Sequence, residues 1–439
     1  MLALSTLVVL VGVGPLSADD AVRLALETNP LLEALTHRID EEEGPRTLGL
    51  LFKNPELRVA ARHLERTVDP TSTPADVLDR SSIGLRVPVP PLTAMGFEQS
   101  ARARHVDATR ADLAEERRRL SERVRILHAR LLNIDARLDL IKAQIELALK
   151  TQDLVRKRID AGVATRFDES IAALDHASVV IDHESLLAER RLADAELKNL
   201  LSVPASEPLL LVADELSPCH AIQKLHASNP GAASARSPDA ESAAVEAVDP
   251  LDVPVSAPVL AGLDARIAEE ENMRTTRFVE LIPWVRFAAL DYRLGVTRQE
   301  DSLRFQVGIP LPLLNFNQDD IRTHTARIAR LRAERRHKLS LISGDLRVHR
   351  ENLAGQHALL SLYEETTAPV IAESLTLVDE AFALGEGDPV QMTMVTARSL
   401  KAKKNALETR LRCDEAAIAW LARAGRDPTL GDADARTGL

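Results

Sequence analysis

The stretch Ala34-Leu35-Thr36-His37-Arg38-Ile39-Asp40-Glu41-Glu42-Glu43 returns as Gly262-Leu263-Asp264-Ala265-Arg266-Ile267-Ala268-Glu269-Glu270-Glu271, six identities in ten at an offset of 228. At the same offset Pro30 matches Pro258, Pro55 matches Pro283 and Arg58 matches Arg286. Further on, Arg86-Val87-Pro88-Val89-Pro90 matches Gly308-Ile309-Pro310-Leu311-Pro312, and Gly162 matches Gly385, at offsets of 222 and 223. Landmarks kept in one order with so little drift mark a tandem duplication. The repeats are placed at 19–203 and 256–426. Residues 1–18 precede them as a signal peptide, 204–255 join them as a connecting region and flexible linker, and 427–439 form a tail.

Each repeat is expected to open with an amphipathic helix, at about 19–43 and 256–276, followed by two alternating segments and a long helical hairpin. Phe97 to Ala161 contains neither Gly nor Pro. Leu113, Leu120, Leu127, Ile134, Ile141, Ala148 and Val155 recur there every seven residues, a coiled-coil seam. About sixty such residues make a helix of roughly 90 Å. The turn Asp160-Ala161-Gly162-Val163-Ala164-Thr165 reverses it into a helix over about 166–202. The second hairpin reads as about 319–384 and a return to about 424, with a turn at Gly385-Glu386-Gly387-Asp388-Pro389. Leu339, Leu346, Leu353 and Leu360 repeat its seam, and Pro369 is expected to bend it.

The alternating segments separate this chain from a plain rod. Leu57, Val59 and Ala61 alternate with Arg58, Ala60 and Arg62, and Ile83, Leu85, Val87 and Val89 with Gly84, Arg86 and Pro88. Leu303, Phe305, Val307, Ile309 and Leu311 alternate with Arg304, Gln306, Gly308 and Pro310, and Trp284 to Tyr292 form a less regular fourth strand. One apolar and one polar or basic face is the pattern of a membrane-spanning strand. An ordinary half-buried sheet shows the same alternation; if the strands span a membrane, four cannot close a barrel and lipid tolerates no open edge, so several chains must contribute. Arg58, Arg86 and Arg304 are then expected to line the lumen.

Composition agrees with long helices and argues against other classes. Charged residues are 28%, aromatics 3% and the net charge is −11, which disfavours a general nucleic-acid binder. The apolar run Met1 to Val13 ends in Pro15-Leu16-Ser17-Ala18 and reads as a secretory signal cut near Ala18. Walker, G-x-S-x-G and H-E-x-x-H motifs are absent, so no enzyme is expected. His176 and His183 lie two helical turns apart, and Cys219-His220 with His226 makes a weak metal cluster. Met392 and Met394 read as helix packing, and no cofactor is expected. The cysteines, Cys219 and Cys413, could pair with each other, but one falls in a loop region and the other deep in a helical pattern, so free structural thiols are expected.

Ala21 to Leu32 (AVRLALETNPLL) resembles the opening of TolC-like outer-membrane efflux proteins. Val307 to Gln318 (VGIPLPLLNFNQ) resembles the exit from their second strand pair, closest in form to the heavy-metal (CzcC-like) branch. Tyr363 to Pro369 and Ala381-Phe382-Ala383-Leu384-Gly385 resemble their final hairpin. The resemblance implies a mainly α chain with β. Its duplicated hairpins would form a periplasmic α-barrel, with 204–255 as the equatorial region, and its four strands would contribute to a trimeric 12-stranded outer-membrane β-barrel. It also implies a passive exit duct of a tripartite efflux system, in the outer membrane with a large periplasmic portion. The partners would be a periplasmic adaptor and an inner-membrane transporter, and the branch points to metal cations as cargo. The alternative is a periplasmic coiled-coil adaptor or scaffold with no pore.

In the family the hairpin tips form a gate, which places Gly162, Thr165, Asp168, Phe382, Gly385, Gly387, Asp388 and Gln391 there. Asp168 matches the first-hairpin carboxylate of a polar lock. Phe382 and Gly387 stand where a tyrosine and an arginine would reach across, and Gln391 and Met394 replace an acidic pair. The resemblance thus implies a tip closed mainly by apolar packing.

Overall fold

A computed structural model describes residues 15–44, 54–61, 81–213, 217–220, 257–293, 302–312, 316–384 and 389–425. In chain order the elements are α1 (Ala18–Thr28), α2 (Pro30–Glu43), β1 (Glu56–Ala61), β2 (Ser81–Pro88), α3 (Leu92–Asp160) and α4 (Arg166–Leu201). There follow α5 (Pro258–Val279), β3 (Phe287–Arg293), β4 (Ser302–Gly308) and α6 (Gln318–Leu362). A π-helical turn (Tyr363–Thr367), α7 (Ala368–Leu384) and α8 (Pro389–Arg423) complete the order. Helix, two strands and two long helical runs thus occur twice, as the duplication requires.

The opening helix of the first repeat is two helices rather than one. Asn29 precedes a proline, which disfavours helical backbone, and it is extended at ψ 118°. Pro30 then starts α2 at the position where its missing N–H costs nothing, and Asn29 Oδ1 accepts from Leu31 N at 3.0 Å. Pro258 starts α5 in the same way, so the matched prolines mark equivalent helix starts.

The chain divides into two compact units that cut across the repeats. One comprises residues 15–33, 115–213, 217–220, 257, 340–384 and 389–425 among those described. Its first core joins Val124, Leu127, Leu131, Ile134, Leu138 and Ile141 of α3 to Leu186, Leu197 and Leu201 of α4 and Val22 and Ala25 of α1. Of these, Leu127, Ile134 and Ile141 belong to the seam read from the heptads. A second core packs Leu353 and Leu360 of α6 against Ala416, Ala417 and Trp420 of α8. Cys219 and Cys413 meet in that core as a disulfide, Cα to Cα 5.6 Å, which corrects the expectation of free thiols. A separation of 194 residues gives sequence reading no local cue to the pairing.

Pro369 does interrupt the hydrogen-bond ladder, but the chain absorbs it with a wider turn. Residues 363–367 are π-helical, and Ala368 N donates to Tyr363 O before α7 resumes.

The other unit comprises residues 34–44, 54–61, 81–114, 258–293, 302–312 and 316–339. Here the repeated glutamates have a structural use. Glu42 accepts from Thr109 Oγ1 at 2.5 Å, and Glu43 binds Arg110. Glu270 lies 2.6 Å from His324 Nδ1, and Glu271 2.6 Å from Arg332. In each repeat the same glutamate pair therefore ties the short helix to the long helix that follows the strands. Leu263 and Ile267 of α5 pack against Ile328 and Leu331 of α6 beside these ties.

The strands form one antiparallel sheet in the order β1-β2-β3-β4. Its ladder continues past β3, with Val89 N donating to Arg286 O at 2.9 Å and Arg286 N to Gly308 O at 2.7 Å. The sequence match of Arg58 to Arg286 fails here. Arg58 lies within β1, whereas Arg286 precedes β3 and has the parity of the opposite face, because an even offset replaces the odd one that pairing sets.

Candidate pore-lining surface

Cross-strand register sorts the sheet into two faces of opposite character. Leu57, Leu85, Leu290 and Phe305 fall in one row, and Val59, Ile83, Tyr292 and Leu303 in the next. Val87, Ala288 and Val307 continue the face. Leu57 is 70% exposed and Phe305 68%, and no described element covers them. A continuous exposed apolar face on all four strands calls for a non-aqueous neighbour.

The opposite face is polar. Arg58, Gly84, Asp291 and Arg304 form one row, with Glu56, Arg86, Ala289 and Gln306 beside it. Arg58, Arg86 and Arg304 therefore share a single face. Arg86 is anchored there: Nη1 lies 3.6 Å from Glu56 Oε2, and its guanidinium stands 4.0 Å from the centroid of the Phe287 ring. The ring in turn fills the space over Gly308, where a Cβ would come within 2.1 Å of it. Gly84 serves Asp291 similarly, for a Cβ there would sit 1.8 Å from the carboxylate. Asp291 thus leans over β2, away from its β4 neighbour Arg304.

At the first hairpin tip the turn is built by local chemistry. Gly162 has φ +75°, and its N–H donates to Ile159 O at 2.8 Å. Val163 N donates to Arg158 O at 2.8 Å, completing the paired bonds that close a helix end around a left-handed glycine. Thr165 then caps α4. Its Oγ1 accepts from Asp168 N, while Asp168 Oδ2 accepts from Thr165 N and Oγ1, both at 2.8 Å. Those backbone and hydroxyl bonds hold the Asp168 carboxyl below its ordinary pKa, with Arg158 adding to the effect. At the second tip Gly385, Gly387 and Asp388 lie outside the described residues, as does the Phe382 side chain. Gln391 is exposed on the first turns of α8.

In the proline-and-asparagine segment that suggested a metal branch, residues 313–315 lie outside the described residues, and residues 316–318 lead into α6. Asn317 takes a left-handed conformation at φ +53°, its side-chain amide donates to Arg277 O at 3.2 Å, and Gln318 Oε1 accepts from Phe316 N at 3.0 Å. Among the described residues no cluster of His, Cys, Asp and Glu could hold a metal ion. His226 lies outside them, and Cys219 is committed to its disulfide. No described helix is long and apolar enough to cross a membrane.

No protein-family model and no curated protein matches the sequence. Solved structures do match. The outer-membrane channel OprN superposes with a TM-score of 0.69 at 14% identity, over 94% of this chain and 90% of that one. CusC, described in terms of transmembrane channel formation, gives 0.67 at 12% identity over 93% and 91%. The outer membrane protein VceC of Vibrio cholerae gives 0.66 at 14% over 93% and 96%. The chain has the TolC-like fold. At this identity the likeness concerns the chain path, and cargo must be argued from the side chains.

Within the TolC-like fold, sequence reading found the alternating strands but missed the groups that organise their polar face. Phe287, Asp291, Gly84 and Gly308 act in cross-strand contacts. The usable signal was a glycine at a polar-face position of β2 and another of β4, each leaving room for a neighbour's side chain.

Proposed function

We propose that this protein is the outer-membrane exit duct of a tripartite efflux system, a passive homotrimeric channel. The observation that carries the reading is the four-stranded sheet with one exposed apolar face and one charged face. Such a sheet is stable in lipid only when closed, and three copies supply twelve strands. Exposed apolar side chains also recur at heptad spacing along α4, at Phe167, Leu174 and Ile181, and along α6, at Leu341, Val348 and Leu362. Stripes of this kind on helices suit packing against neighbouring copies. In this assembly the apolar sheet face meets lipid, and Arg58, Arg86 and Arg304 line the lumen.

The helical hairpins form the periplasmic tunnel, and an adaptor and an inner-membrane transporter supply docking and energy. The gate lies at the tips, around Gly162, Thr165 and Asp168 of the first hairpin and Phe382, Gly385, Gly387, Asp388 and Gln391 of the second. Metal cations as cargo rested on the segment ending in Gln318, whose Asn317 and Gln318 are accounted for by the entry into α6. Leu16 is buried, pairs with Leu210 and Val212 through its backbone and precedes the Ser17 cap of α1, so we place signal cleavage upstream of it.

The test is reconstitution. The mature protein should leave membranes only in detergent, as a trimer, and give discrete conductance steps in a planar bilayer. Phe382→Tyr combined with Gly387→Arg should lower that conductance by restoring a lock. A soluble, fully helical monomer in light scattering would overturn the duct.

A further inference from the structure

The charged residues on the polar face of the sheet are Glu56, Arg58, Arg86, Asp291, Arg293 and Arg304, four cations against two anions. This balance is opposite in sign to that of the chain, whose net charge is −11. The carboxylates are also unevenly placed. Glu56 is matched by Arg86, which is held further by the Phe287 ring. Asp291 leans over Gly84 and away from Arg304. Among the described residues Arg58, Arg293 and Arg304 form no ion pair within the chain, and Arg58 and Arg304 are exposed on the two outer strands.

We infer that the β-lined part of the duct selects for anionic solutes over free cations. The inference rests on the reading of the polar face as the lumen. Two net positive charges per chain become six around one threefold axis, with the arginines of β1 and β4 meeting at each junction between copies. A ring of fixed cations in a confined aqueous lumen concentrates anions and repels metal cations, as arginine and lysine rings do in anion pores.

The experiment uses the full-length trimer in a planar bilayer under a tenfold KCl gradient at low ionic strength, where fixed charge is least screened. Chloride should be favoured over potassium by about twofold or more. Arg58→Gln with Arg304→Gln should lower that ratio at least about twofold, and Asp291→Asn should raise it. The opposite-sign variant tests the idea even if the double variant inserts poorly. Potassium preference in the wild type, or a reversal potential unmoved by these variants, would overturn the inference and leave the duct standing. Complete absence of channel steps would overturn both.

Discussion

Single residues at the first tip explain why the hairpin turns where it does. Gly162 supplies the left-handed backbone at which a Cβ would cost roughly 1–2 kcal/mol, and Thr165 and Asp168 restart the helix three residues later. Asp168 is therefore occupied within its own helix by the bonds that lower its pKa. A depressed carboxyl contributes stability above its unfolded pKa and loses it as pH falls through the folded value. Protection of the amides at Thr165 and Asp168 against hydrogen exchange should persist at neutral pH and through the ordinary aspartate range, and drop only at more acidic pH, where the lowered carboxyl is protonated. Thr165→Ala should abolish the difference. Protection that stays flat down to that more acidic pH would show that the box does not hold the tip.

Between elements, the short segment 217–220 is tied to α8 more firmly than its length suggests. The Cys219–Cys413 disulfide is reinforced by Cys219 N donating to Asp414 Oδ1 at 3.1 Å. Burial pushes the Asp414 carboxyl above its usual pKa, against the opposing effect of that hydrogen bond. A bridge closing so long a loop typically stabilises by about 2–4 kcal/mol. Cys219→Ser with Cys413→Ser, or reduction of the wild type, should lower the thermal midpoint and expose this segment to protease. An unchanged midpoint would make the bridge incidental. Such a bridge also accords with an oxidising compartment, which an exported protein reaches.

For the molecule as a whole, the decisive question is which face of the sheet meets water. The two cysteines are paired, so a cysteine introduced in place of Arg304 would be the one free thiol. Arg304→Cys in the reconstituted trimer should react with a membrane-impermeant thiol reagent, and Leu303→Cys, on the opposite face, should not. The reverse pattern would place four arginines per chain against lipid, at roughly 2–4 kcal/mol each near the bilayer centre, and would invert the duct.

The duplication, the heptad seam of α3, the Gly162 turn and the two-residue alternation of the strands were legible without coordinates. Each is a periodicity or a local backbone demand that neighbouring residues encode by themselves. The pairing of Cys219 with Cys413, the break at Asn29 and the odd register that separates Arg58 from Arg286 emerged only in three dimensions. So did the seating of Phe287 between Arg86 and Gly308. Strand register, loop closure over 194 residues and cross-strand space are set by partners distant in the chain, and a one-residue slip exchanges the two faces. The charged residues were visible in sequence, but their sum on one surface, opposite in sign to the whole chain, exists only once four strands are aligned.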